Sequence, residues 1–288
     1  MKKLIITLVT LSAFATADAQ KIYVRAGLGY AVPQGGQLYD MNGFPLNGKS
    51  NAVIPATGGQ YSETFEVKKA SFAAGVHATI AAGAMVTKHL GVELMADIGA
   101  ATKKTGTSLS QTDGLSTITY DINQQSKLPV LLIPSAVIQS GGKLNFYARG
   151  GVVIPVKATI DLEATIIQDD YNIATTNTVR TTYGIGEKYK TRMSPGFAGA
   201  MGVRIAPTKK ISVFGEISLL SLNLYYKESE VTTLTQNGMS VLNQLTPAEK
   251  TTKYEFEGTL TGTSNTMPTY SVPFSTIGVN VGVAFGLF

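Results

Sequence analysis

The sequence predicts an all-β fold: eight antiparallel strands closed in up-and-down order into a transmembrane barrel, with tight turns at one end and long polar loops at the other. Three observations predict it. Segments of about ten residues, the length of a transmembrane strand, alternate apolar with small or polar side chains, as a strand with one apolar face must. The links between these segments alternate short and long. Beyond the first 20 residues, no window is apolar enough for a membrane helix, which needs about 20 such residues.

The chain opens on Lys2 and Lys3, an apolar run over 4–14, and the small-x-small triplet Ala17-Asp18-Ala19. The run is too short to cross a bilayer, so residues 1–19 read as a secretory signal peptide and 20–288 as one barrel domain.

In the first strand, 21–30, Ile22, Val24, Ala26, Leu28 and Tyr30 share one face; Tyr23, Arg25, Gly27 and Gly29 share the other. The second, 71–80, sets Phe72, Ala74, Val76, Ala78 and Ile80 against Ser71, Gly75, His77 and Thr79. The third, 90–99, sets Leu90, Val92, Leu94 and Ile98 against Glu93, Met95 and Asp97. The fourth, 128–138, is apolar on both faces and contains Pro129 and Pro134. The fifth, 144–154, turns Phe146, Val152 and Ile154 one way and Tyr147 and Arg149 the other. The sixth, 196–205, opposes Phe197, Met201 and Val203 to Ala200, Gly202 and Arg204. The seventh, 211–219, opposes Val213 and Ile217 to Phe214 and Glu216. The last, 277–287, alternates Ile277, Val279, Val281, Val283, Phe285 and Leu287 with Gly278, Asn280, Gly282, Ala284 and Gly286.

Tight turns fall at 87–89, 140–143 and 207–210, and long polar links at 33–67, 102–118, 159–190 and 227–270. A secreted β-sandwich also alternates, but it has no reason to place every long link at one end, and it fills its interior with large side chains from both sheets. Outer-membrane barrels keep short turns in the periplasm and long loops outside. That assigns both termini to the periplasm.

The formal charge of +5 falls by one as Lys2, Lys3 and Asp18 leave, and the remaining charges are scattered. No basic run or helix supports nucleic-acid binding; the balance suits anionic neighbours such as lipopolysaccharide. The absence of Cys removes disulfides, a lipidated N-terminal Cys, zinc-thiolate sites and Cys nucleophiles.

Arg25, His77, Glu93, Asp97, Arg149, Arg204 and Glu216 fall on the lumen-facing parity. An eight-stranded lumen is just wide enough to be filled by side chains, and an unpaired buried ion costs several kcal/mol. These charges are therefore expected to interlock as a polar plug, or else to line a narrow path for ions. With two histidines, His77 mid-strand and His89 in a turn, no outer-rim histidine completes a catalytic set with Asp113, Asp169 or Asp170. Neither catalysis nor a cofactor is expected. Asp169, Asp170 and Glu163 read as solvated loop charges before they read as a divalent-cation site.

Tyr23, Tyr30, Phe72, Tyr147, Tyr225, Tyr226, Tyr270 and Phe274 are candidates for interfacial aromatic girdles, with Tyr147 turned to the lumen by its parity. Pro129, Pro195 and Pro273 stand near the starts of the fourth, sixth and eighth strands and suggest a shared device at the outer rim. The Thr-rich runs 175–178, 232–238 and 259–263 are expected in the loops, either flexible or extending the strands as hairpins.

The stretch Gln125-Ser126-Lys127-Leu128-Pro129-Val130-Leu131-Leu132 resembles the L-x-P-L-L-L pattern of a Bacteroidetes-type porin-like family of small outer-membrane β-barrels. The first strand and the ending G-V-N-V-G-V-A-F-G-L-F fit the same family. The resemblance implies a terminal aromatic, Phe288, that the barrel-assembly machinery recognises; here the apolar parity falls on Leu287 and Phe285 instead. The resemblance says almost nothing about activity; the barrel itself is expected to be a cell-envelope protein with a structural or surface-interaction role. A narrow pore or an accessory subunit of a larger outer-membrane complex are the alternatives.

Overall fold

The computed structural model describes residues 21–35, 48–54, 62–100, 104–113, 115–208, 210–258 and 265–287. The leader 1–19, Phe288 and the 259–263 run lie outside them. Eight strands form a closed ring: β1 (Lys21–Pro33), β2 (Gly75–Met85), β3 (Leu90–Gly99), β4 (Ser116–Gln139), β5 (Leu144–Asn172), β6 (Gly196–Ile205), β7 (Ile211–Ser221) and β8 (Thr276–Gly286). Each pairs antiparallel with its sequence neighbour in the ring. β8 returns to β1, with Tyr23 opposite Gly286 and Pro33 opposite Thr276.

The outward side is aliphatic on β1, β3, β5, β6, β7 and β8, and on β2 from Val76 onward. Leu28 is 63% exposed, Val281 65% and Phe197 71%. On β1 the apolar positions run from Ile22 to Val32, about 33 Å along the strand. At the tilt of about 40° usual in such barrels this projects to about 25 Å, the height of a membrane barrel's apolar band.

β2 begins at Gly75 rather than at Ser71. Gly75 takes φ +120°, a conformation that suits glycine because it has no Cβ to clash, and the face parity slips there. Phe72 and Ala74 are consequently buried, not outward; the Phe72 ring lies 5.9 Å from that of Phe274.

Among the described residues, much of the long links is strand, which corrects their reading as loops. β4 and β5 run 24 and 29 residues, more than twice the roughly ten that cross a bilayer. Lys127 still pairs with Thr159, but the next pairs are Val130 with Lys157 and Leu131 with Pro155. Leu128, at φ +36°, and Pro129 fall in this bulge. A bulge bends a strand and increases its twist, so this point separates the ring from the sheet beyond it. Pro195 and Pro273 each stand just before a ring strand.

Beyond the bulge, β4 pairs with Lys104–Asp113, and β5 with Asn177–Arg192. Asn177–Arg192 pairs in turn with Asn223–Gln236, which also carries Thr251–Glu255 and Ser271–Pro273. Gly48–Ile54 adds to Lys104–Asp113 in parallel, and Ser62–Val67 to Gly48–Ile54. The run 232–238 lies in strand Asn223–Gln236 and its turn, and 175–178 at the tip of the β5 hairpin. Threonine's branched Cβ fits a pleated surface without needing an apolar face.

The apolar core sits where ring and sheet meet: Leu131, Ile133, Val153, Ile160, Leu222, Leu224, Val272 and Phe274 fill the loop end of the lumen. Tyr189, Tyr226, Tyr254 and Tyr270 cluster beside it in tilted and edge-on contacts, with ring centroids 4.5–6.3 Å apart. Most girdle candidates are thus interior: Tyr23, Phe72, Tyr147, Tyr226 and Phe274 are buried, Tyr225 and Tyr270 half-buried, and only Tyr30 of the eight is exposed. A strand-end position says where an aromatic lies along the barrel; parity decides whether it faces in or out.

Candidate functional site

The ring interior is built from parity. Inward positions on alternate strands β1, β3, β5 and β7 supply Arg25, Glu93, Arg149 and Glu216, all buried. Glu216 is the hub. Its Oε1 accepts from Arg149 Nη2 at 2.6 Å and Asn280 Nδ2 at 3.1 Å; its Oε2 accepts from Arg25 Nη1 at 3.1 Å and the Tyr147 hydroxyl at 2.7 Å. Glu93 takes Arg25 Nη2 at 2.8 Å and the Tyr23 hydroxyl at 3.0 Å. Two cations and two anions cancel, and each carboxylate is filled by charge-assisted bonds, the condition under which a buried ionic layer is tolerated.

Asn280 links this layer to His77. Its amide hydrogens go to Glu216 and to Ser218 Oγ, 3.1 Å away. Its Oδ1 therefore faces His77 Nε2, at 2.5 Å, and the imidazole donates. Asp97 stands apart: among the described residues its side chain has no hydrogen bond or ion pair. It lines, with His77, Arg149 and Asn280, a cavity of about 30 Å³ between the ionic layer and the apolar core, room for about one or two waters.

Arg204 is also separate. Its guanidinium lies over the rings of Tyr23 and Tyr147, 5.1 and 5.2 Å from their centroids, on the turn side of the ionic layer. The structure thus brings Arg25, Glu93, Arg149 and Glu216 into one network, attaches His77 through Asn280, and leaves Asp97 and Arg204 on opposite sides. Asn280, Tyr23 and Phe214, whose ring lies 5.0 Å from the Arg25 guanidinium, complete the interior. All three sit on the inward parity, and that was the available signal.

Glycine makes room for these groups. A Cβ on Gly83 would meet the Tyr23 ring at 2.5 Å, and one on Gly202 would meet Glu216 Cβ at 2.7 Å. Tyr23 cannot swing away without losing Glu93. Gly83→Val is therefore expected to destabilise the barrel by roughly 1–3 kcal/mol, the usual cost of overpacking. The midpoint of urea unfolding checks it, with the outward Ala82→Val as the control that should not shift.

Outside the ring, Asp169 is engaged by Arg180. Its two oxygens take Arg180 Nε and Nη2 at 2.7 and 2.9 Å, and that hydrogen-bonded guanidinium holds its carboxyl below the usual range. Asp170 is bonded to Ser116 and Gln168. His89 lies exposed at a turn, its Nδ1 against the Gln139 carbonyl at 2.9 Å.

No protein family matches the sequence, and no curated protein does. Among solved structures, the outer membrane protein OprG from Pseudomonas aeruginosa is 11% identical, over 93% of this chain and 96% of that one, with a TM-score of 0.42. Ail, the attachment invasion locus protein of Yersinia pestis, is 7% identical over 93% and 97% of the two chains, with a TM-score of 0.29.

Proposed function

We propose that the chain is an integral outer-membrane β-barrel with a structural or surface-interaction role, of the Bacteroidetes porin-like type. The apolar exterior carries this reading. Soluble monomers rarely expose a contiguous apolar patch above a few hundred Å², whereas here Leu28, Ile80, Leu94, Phe146, Met201, Ile217 and Val281 extend exposed apolar surface around the ring. Lipid is the solvent that suits it. Outer-membrane lipid and lipopolysaccharide are then the immediate neighbours, and the barrel-assembly machinery the route of insertion.

In this reading the turn end, with both termini, faces the periplasm, and the sheet beyond the bulge stands outside the cell. That sheet is the surface offered to a protein partner. Ser62–Val67 is exposed and, among the described residues, paired only on the side of Gly48–Ile54, a geometry open to strand addition. Catalysis is not part of the proposal.

The narrow-pore alternative is disfavoured because two layers cross the lumen, the Glu216 network and the apolar core around Leu222 and Phe274. Planar-bilayer recording tests this directly. The expected outcome is a silent bilayer after insertion; reproducible conductance steps would favour the pore.

A further inference from the structure

At the turn end the barrel opens into a vestibule of about 460 Å³, within the range of small-molecule sites. Its charged lining residues are Lys88, Arg204 and Lys210; among the described residues no carboxylate lines it. We propose that this vestibule binds a small oxyanion, a carboxylate or a phosphate, with Arg204 as its principal contact and Lys88 and Lys210 as outer cations.

Arg204 differs from the other interior arginines. Arg25 and Arg149 each hold carboxylates, at 2.8 and 2.6 Å. Among the described residues the Arg204 side chain has neither an ion pair nor a hydrogen bond; its Nε, like that of Arg25, is buried without an acceptor, but Arg25 spends its other nitrogens on Glu93 and Glu216. A buried donor left unmatched costs stability, and the described residues offer Arg204 no acceptor, so a ligand oxygen suits the place. The neighbouring polar groups do not supply one. Asn145, directly across the sheet from Arg204, is occupied: its Oδ1 accepts from Gly141 N at 3.0 Å and its Nδ2 donates to Gln139 Oε1 at 2.7 Å.

The site is also rigid. Tyr23 and Tyr147 cover the guanidinium, and their hydroxyls are tied to Glu93 and Glu216 at 3.0 and 2.7 Å. With its faces against rings, a guanidinium offers its N–H edge, whose fork matches two oxygens of a carboxylate or phosphate. Glu93 and Glu216 behind the rings are neutralised by Arg25 and Arg149, so they do not cancel the positive field at the mouth. An ammonium in place of Arg204 would keep the charge and lose the fork.

Calorimetric titration of the refolded full chain in a non-ionic detergent tests the proposal, with three probes: inorganic phosphate, D-alanyl-D-alanine, and that dipeptide's C-terminal amide. Saturable one-to-one binding of phosphate or of the free dipeptide is expected, and which of them binds names the source; the amide should not bind. Arg204→Gln should weaken binding at least about tenfold, the scale of losing a charge-assisted bond, and Arg204→Lys should fall between. Should Arg204→Gln not fold, the exposed double variant Lys88→Ala with Lys210→Ala carries the test, through weaker binding and a flatter salt dependence. Absence of saturable binding by both oxyanions, or binding unchanged in whichever of these variants folds, overturns the proposal. The titration reads only the vestibule, so the membrane reading can fail without altering this result.

Discussion

Glu216→Ala is expected to cost the barrel about 3–5 kcal/mol, the penalty for leaving a buried charge uncompensated. The side chain accepts from Arg25, Arg149, Tyr147 and Asn280 together. Its removal strands Arg149, whose ion pair is with Glu216, while Arg25 keeps Glu93. Glu93→Gln should therefore cost less than Glu216→Gln. Replacing Arg149 and Glu216 together by Met should recover much of the loss, since an ion pair exchanged for apolar groups of similar volume is often neutral. Urea midpoints, read from the gel shift between folded and heat-unfolded chain, would rank the four variants. Equal costs for Glu93→Gln and Glu216→Gln would contradict the hub assignment.

The second large effect concerns the outside of the ring. Val281 is 65% exposed and sits mid-strand, opposite Leu28 on β1 and Gly215 on β7. If lipid surrounds it, Val281→Arg should cost roughly 2–4 kcal/mol of folding free energy in bilayers. In water the same change at so exposed a site would be close to neutral, within about 0.5 kcal/mol. Unfolding in lipid vesicles measures the difference, with Val281→Leu as the control. An unaffected variant argues that β8 does not face hydrocarbon.

How much of this was legible in the sequence depended on whether a face was apolar. β3, β6, β7 and β8 were bounded to within two residues, because lipid-facing Val, Ile and Leu write a clear period of two against Gly, Ala and Ser. The extensions of β4 and β5 look like loop in the sequence because they are polar overall. A weaker alternation was nonetheless present in Ile118, Tyr120 and Ile122, and again in Ile160, Leu162 and Ala164. At β2 the slip at Gly75 was invisible, since only the backbone dihedral reveals that Phe72 turns inward.

The interior charges were identified by parity, but their grouping was not. Strand parity says which side chains enter the lumen, not at what height they meet; that height follows from strand stagger around the ring. Hence Asp97 and Arg204, on the same parity as Glu216, sit on opposite sides of it. Asn280 was visible as the polar residue in the Gly278-to-Gly286 inward row, yet its role as the link to His77 needed the register of β8 against β1 and β7.

The central claim is that the aliphatic side of the closed sheet contacts lipid. The chain contains no Cys, so a nitroxide can be placed on single introduced cysteines along 277–285 without competing labels. In bilayers, collision rates with oxygen, which concentrates in hydrocarbon, should peak at 277, 279, 281, 283 and 285 and fall at 278, 280, 282 and 284. A profile without that two-residue period, or one with collisions by a water-soluble nickel complex peaking at the odd positions, would contradict the account.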